Sequence, residues 1–216
     1  MTNFIPIFPL NVVVYPGERL NLHIFEDRYK QLLKECIAEK KPFGIPSVID
    51  KKMGELGTLM EVEEVVKEYD NGEMDIRTRG TKVFRVLETV RSIPEKLYSG
   101  AIVTYPENKL SHQDSKLSAL ILDAVKRLYS LLNVDSKFPN VQSEMISYTI
   151  GHFVGFTLNE EYELLGIFDE LQRLEYIRRH LTRMQPVIKE LEDMKARVQL
   201  NGHFRDLSID DLNLDK

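Results

Sequence analysis

The stretch "FPLNVVVYPGERLNLHIFEDRYKQLLKECI", residues 8–37, decides how the chain is read. Its segment NVVVY, residues 11–15, is a β-branched run of the kind found in strands buried on both faces. Pro16-Gly17 suits the two central positions of a type II turn, where proline presets φ and glycine accepts a positive φ. In RLNLHI, Leu20, Leu22 and Ile24 alternate with Arg19, Asn21 and His23, giving a strand one apolar and one polar face. Phe25, Tyr29, Leu32, Leu33, Cys36 and Ile37 then fall on one stripe of a helix. Glu26 and Asp27 at its start and Lys40 and Lys41 at its end complement the helix dipole, and Pro42 stops it.

The same pattern continues outward. FGIPSVI, residues 43–49, predicts a strand with Pro46 at an edge or a bulge. Residues 57–90 predict a strand, a tight turn at Asp70-Asn71-Gly72, a second strand broken by Gly80, and a third. SGAIVTYP, residues 99–106, closes the β-rich half. Met53-Gly54-Glu55-Leu56-Gly57 reads as a loop, because it lacks the lysine and following helix of a phosphate cradle.

Beyond about residue 108 helical spacing takes over. Ser111 and Asp114 have capping-box spacing ahead of a helix carrying Leu117, Ile121, Val125 and Leu128. A second helix is expected from Val141 to Phe156, and a short third one with Asn159 as its N-cap. The last begins near Asp169 and runs to about Leu200, before Asn201-Gly202 as a C-cap. Along it Leu174, Ile177, Leu181, Met184, Ile188 and Leu191 step by three and four, a heptad-like seam suited to self-association. Pro186 inside it predicts a kink, and its length predicts that part of it projects or packs on another chain.

Composition bounds the function. With 43% hydrophobic and 29% charged residues, wholesale disorder is excluded. A net charge of -5 argues against a protein that coats nucleic acid. The single cysteine, Cys36, excludes an intramolecular disulfide framework and fits a reducing compartment. The N-terminus has no basic region of a secretory signal, and no run of about 18 apolar residues occurs, so a cytoplasmic location is expected.

Chemistry-bearing motifs are missing. There is no G-x-x-x-x-G-K-[ST], no H-E-x-x-H and no G-x-S-x-G, and the five histidines have no metal-ligand spacing. His152 reads as a packed or surface histidine, and Cys36 as a buried, inert thiol. Glu61, Glu63 and Glu64 read as a solvated face near Lys67. No enzyme activity, cofactor or metal is expected. Arg77, Arg79 and Lys82, and separately Arg178, Arg179 and Arg183, form two small basic groups that read chiefly as solvated faces. Tyr148, Phe153 and Phe156 read first as core; they are also the candidate binding residues, as lining for an apolar peptide groove.

The order of these features, and the residues carrying it, resemble the N-terminal substrate-binding domain of Lon proteases. Pro9, Leu10, Val13, Val14, Tyr15, Pro16 and Gly17 match that family's opening P-L-x-x-V-V-x-[FY]-P-G segment. Gly57-Thr58, Asp70, Gly72, Gly80, Phe84 and Arg85 match its following strands and hairpin, and residues 160–181 are similar to its segment joining a short helix to a long one. The resemblance implies an α+β fold, with a PUA-like mixed β-barrel lobe over residues 1–108 and a helical bundle lobe over 109–200 ending in a long helix. An acidic tail, 201–216, follows. It also implies non-catalytic recognition of unfolded or damaged polypeptides, or of a protease or chaperone partner. No residue matches the ATPase module or the serine–lysine dyad of full Lon chains, and with no tryptophan the zinc-bound pocket of cereblon-like relatives has no counterpart. RNA binding through the PUA-like lobe and self-assembly through the long helix are the alternatives.

Overall fold

A long hairpin dominates the strand-forming half of the computed structural model, which describes residues 2–110, 115–141 and 144–205. Its arms are β4 (Lys52–Glu68) and β5 (Met74–Val90). They join at Tyr69–Glu73, where the Gly72 N–H donates to the Tyr69 carbonyl at 2.8 Å. With β1 (Asn3–Pro6), β3 (Phe43–Ile49) and β6 (Gly100–Thr104) the sheet order is β1-β6-β5-β4-β3. The chain after β1 then closes this sheet. Ile7 and Leu10 bridge Gly44 and Ser47 in parallel, with Phe8 N–H to Gly44 O at 2.8 Å and Val48 N–H to Leu10 O at 2.7 Å. The result is a barrel with no free edge between β3 and β1. Outside this ring, β2 (Arg19–Ile24) pairs with Met74–Arg79 of β5.

Helix α1 (Asp27–Glu39) lays Tyr29, Leu32, Leu33 and Cys36 against Phe43, Ile45, Met60 and Ile76 of the barrel. A separate cluster of Ile5, Ile7, Leu59, Phe84, Ala101 and Val103 is likewise buried. The remaining helices are α2 (Ser115–Leu131), α3 (Ile146–Ile150), α4 (Leu158–Leu165) and α5 (Glu170–Arg205). They share a core of Ile121, Val125, Ile150, Val154, Leu164 and Ile177. Val13, Tyr15, Leu56 and Val83 of the strand-forming half are buried in the same core, so the barrel and the helices meet through one continuous apolar contact.

Several expectations need correction. NVVVY joins no ladder. It crosses from the barrel's closing segment to β2, and its polar backbone is satisfied piecemeal: the Tyr15 N–H donates to the Glu18 carboxylate at 2.9 Å and Thr58 Oγ1 donates to the Val14 carbonyl. Gly80 does not break its strand, because a register shift opposite Leu59 and Met60 absorbs it as a bulge. Met53–Gly57 is part of β4 rather than a loop. Phe25 precedes α1 and is exposed. The helix expected at Val141–Phe156 is the short α3 followed by one 3₁₀ turn, Gly151–Phe153. Thr157, not Asn159, caps α4, in a capping box with Glu160.

Helix α5 begins as expected, with Asp169 Oδ1 accepting from the Gln172 N–H at 3.1 Å, but it runs through Asn201-Gly202 to Arg205 instead of ending there. Much of its apolar seam is already used within this chain. Leu174, Ile177, Leu181 and Ile188 are buried within this chain, where α5 packs on α2 and α3, and Met184 and Leu191 are half-buried. The ammonium of Lys195 caps the end of α2, 3.2 Å from the Leu131 carbonyl and 2.8 Å from Asn133 Oδ1. From there α5 continues to Arg205, a run of about 15 Å past that cap. Ser111 and Asp114, and the tail from residue 206, lie outside the described residues.

Candidate functional site

A cleft of about 860 Å³ opens where the barrel meets the helices. One wall is the crossing segment that follows barrel closure, contributing Val12, Val13, Pro16 and Leu20; the other contributes Phe153 and Leu158. The Pro16-Gly17 turn shapes the first wall. Gly17 has φ +88°, and the Glu18 N–H donates to the Tyr15 carbonyl at 3.1 Å, as the type II reading required. That turn delivers Glu18 to the cleft.

Across it, Gly151 and His152 approach the ring of Tyr15. A Cβ on Gly151 would lie 2.5 Å from a Tyr15 ring carbon, so only glycine permits this contact. The Tyr15 ring stacks on Tyr148 with centroids 5.1 Å apart, lies 4.6 Å from the His152 ring, and its hydroxyl donates to the Glu161 carbonyl at 3.1 Å. His152 then spans the cleft wall, with Nε2 3.0 Å from Glu18 and Nδ1 2.7 Å from Glu161. Burial alone would depress this imidazole, but the hydrogen bonds to Glu161 and Glu18 outweigh it and raise the pKa to about 9. At neutral pH His152 is therefore an imidazolium donating from both nitrogens to carboxylates on opposite sides of the junction.

Behind the cleft lies a sealed polar node. The fully buried Arg173 donates from Nε to Ser147 Oγ at 2.8 Å, from Nη2 to Glu170 at 2.7 Å, and from Nη1 to Asn108 at 2.8 Å and to the Ile167 carbonyl at 2.7 Å. Its guanidinium sits 4.0 Å from the centroid of Tyr148. Burial pushes the Tyr148 phenol up to about 12.

Of the three aromatic candidates, the structure brings Tyr148 and Phe153 to the cleft. Phe156 is not there; it packs on Tyr176 and His180, with centroids 5.4 and 4.5 Å away. His152, read as a packed or surface histidine, is the residue whose role the sequence hid. Its partner Glu18 is 134 positions away, beyond any local spacing rule.

The two basic groups are largely neutralised. Arg77 meets Glu64 at 2.5 Å, Arg79 and Arg19 share Glu63, and Lys82 lies over the ring of Tyr105 at 5.0 Å. Arg178 and Arg179 share Glu175, and Arg183 reaches Glu160 at 3.2 Å. Cys36 is buried, and burial, with Glu35 and Glu39 beside it, pushes its thiol up to about 12, the profile of an unreactive cysteine. Among the described residues, no three of His, Cys, Asp and Glu are placed to hold a metal ion, and no helix is long and apolar enough to cross a membrane.

The family model described as the ATP-dependent protease La (LON) substrate-binding domain matches residues 5–183. The chain belongs to this family. A curated relative, the Lon protease of Parabacteroides distasonis, is 25% identical over 92% of this chain, and the chain spans 26% of that relative's length. Two solved structures share the fold of this LON domain. The Lon N-terminal domain protein from Xanthomonas campestris superposes with a TM-score of 0.66 at 24% identity, covering 82% of this chain and 98% of its own. The N-terminal domain of the Mycobacterium avium complex Lon protease gives 0.61 at 15% identity, covering 83% and 98%. The cleft described above lies wholly within the residues that the family match covers.

Proposed function

We propose that this LON domain binds unfolded or damaged polypeptide segments in the cleft between residues 1–108 and 109–200, its two lobes, without altering them chemically. One observation carries the reading: the cleft joins aliphatic and aromatic walls (Val12, Leu20, Phe153, Leu158) to a charged rim of Glu18, Arg79 and Glu161. Apolar walls with a few polar groups suit side chains that a folded client would hide. The open shape, with its polar groups already bonded to one another at the rim, favours weak, promiscuous capture, as a domain serving many clients requires. A protease or chaperone in the same compartment, the cytoplasm, would take over the captured client. RNA binding has less support, since the arginines it would use are already ion-paired.

Titration of a fluorescently labelled, reduced and carboxymethylated client tests this by anisotropy. The wild-type protein is expected to bind, and Val12→Asp or Leu158→Asp to weaken binding about tenfold by placing an unpaired charge on an apolar wall. Absence of wild-type binding at high micromolar concentration would sink the reading.

A further inference from the structure

Strand β2 follows directly from the cleft wall and has one open side. Its only strand partner among the described residues is β5, in continuous register from Arg19↔Arg79 to Ile24↔Met74. The Gly80 N–H donates to the Glu18 carbonyl at 2.8 Å, which sets the phase of that ladder. In an antiparallel pair, inward and outward backbone groups alternate. Leu20, Leu22 and Ile24 therefore face β5 with their amides and carbonyls, as the Thr78 hydroxyl bonded to the Leu20 carbonyl at 2.8 Å agrees. Arg19, Asn21 and His23 direct theirs away from the sheet. These three residues are exposed, and no described backbone group bonds to their outer side.

Folded proteins normally guard such an edge with proline, a bulge, or a charged side chain held across it. Here the six residues contain no proline and the register has no shift. The two ionisable side chains lean back over the sheet, Arg19 to Glu63 at 2.9 Å and His23 to Asp75 at 2.7 Å. The edge is also continuous with the cleft, because Pro16, Gly17, Glu18 and Leu20 line the cleft and lead into β2. On the buried face of this junction Leu10, Val12, Leu20 and Leu22 are all half-buried against one barrel cluster.

We propose that a client segment docks as an added β-strand on the outer edge of β2, its backbone pairing with Arg19, Asn21 and His23 while alternate apolar side chains enter the cleft beside Leu20. This rests on the cleft reading above and specifies its chemistry. Three donors and three acceptors at strand spacing match an extended main chain. Backbone pairing does not read sequence, so it supplies affinity for any unfolded segment. The apolar positions then supply preference for segments with period-two hydrophobicity.

The test uses the full chain and an acetylated peptide of about ten residues alternating leucine with serine and lysine. Asn21→Pro removes an outward N–H while sparing the β5 ladder, which proline tolerates at an edge. Binding is expected to weaken at least about tenfold in Asn21→Pro and to change less than about twofold in Asn21→Ala. Methylating the peptide amides on one alternate set, and not on the other, is expected to give the same loss. Amide exchange on the wild-type complex should slow at Arg19, Asn21 and His23, which reports the edge even if Asn21→Pro fails to fold. If the peptide binds but these amides stay unprotected and neither methylated set matters, the strand proposal falls and the cleft reading stands. If no peptide binds, both fall. Protection of the same amides that grows with protein concentration, without peptide, would assign the edge to a second copy and overturn the proposal.

Discussion

Two charged nodes lie where the strand-forming half meets the helices, and they behave in opposite ways. In one, Arg173 and Glu170 have side-chain exposures of 0% and 2%, and all three guanidinium nitrogens are engaged, one of them with Asn108 on the connection out of β6. In the other, His152 is 28% exposed and lies between Glu18 and Glu161 on the cleft. The sealed bridge has no water to replace a lost partner, so removing one charge strands the other. The bridge on the cleft keeps access to solvent, and a histidine there stays titratable. The same chemistry thus fixes the junction where it is closed and leaves it adjustable where it opens.

Breaking the sealed bridge is expected to have the largest effect. Arg173→Met leaves the Glu170 carboxylate buried with only Ser147 for company and should cost about 3–5 kcal/mol of stability. Urea denaturation monitored by circular dichroism measures this. Glu170→Gln combined with Arg173→Met should recover part of the loss, since no uncompensated charge remains. A single variant with an unchanged midpoint would show that Arg173 is not the keystone its burial implies.

The bridge on the cleft is expected to show itself as a pH effect of intermediate size. Folding raises His152 from 6.5 to about 9, so the folded state binds the proton more tightly than the unfolded chain. The stabilisation is fully present below about pH 6.5 and is lost as pH rises through about 9. Each tenfold gain in proton affinity is worth about 1.4 kcal/mol, so the whole effect amounts to a few kcal/mol at most. Denaturation midpoints measured from pH 6 to 10 should fall in the wild-type protein, and this fall should shrink in His152→Gln. An equal alkaline slope in both would separate the histidine from the stability of the junction.

This contrast also marks what the sequence could tell. The β2 alternation, the Pro16-Gly17 turn, the α1 stripe and the start of α5 are legible because each is a local pattern with a local physical cause. Barrel closure is not, since Ile7 and Leu10 reach Gly44 and Ser47 across more than thirty residues with no periodic signal. NVVVY carries strand propensity, but its place as a crossing segment overrides it. Thr157 is hidden as a cap because Asn159 is an equally good capping residue two positions later. In the cleft, aromatic spacing points to Tyr148 and Phe153, and it points equally to Phe156. The Glu18–His152–Glu161 bridge has no sequence signal, because charges distant along the chain reveal their pairing only after folding.

A third kind of bridge sharpens the comparison from its weak end. Arg77 and Glu64 form an ion pair on the open face of the hairpin, with side-chain exposures of 41% and 53%. Water solvates both partners and salt screens them, so the pair should contribute under about 0.5 kcal/mol. Arg77→Ala is expected to shift the urea midpoint barely, and raising salt toward about 1 M should erase whatever difference exists. The same variant probes the nucleic-acid alternative. Removal of Arg77 should leave any weak RNA retention at low salt within about twofold of wild type, because a chain of net charge -5 is not built to hold nucleic acid. A clear loss of RNA binding in Arg77→Ala would mean that this pair opens for a phosphate and that the open face of the hairpin binds nucleic acid.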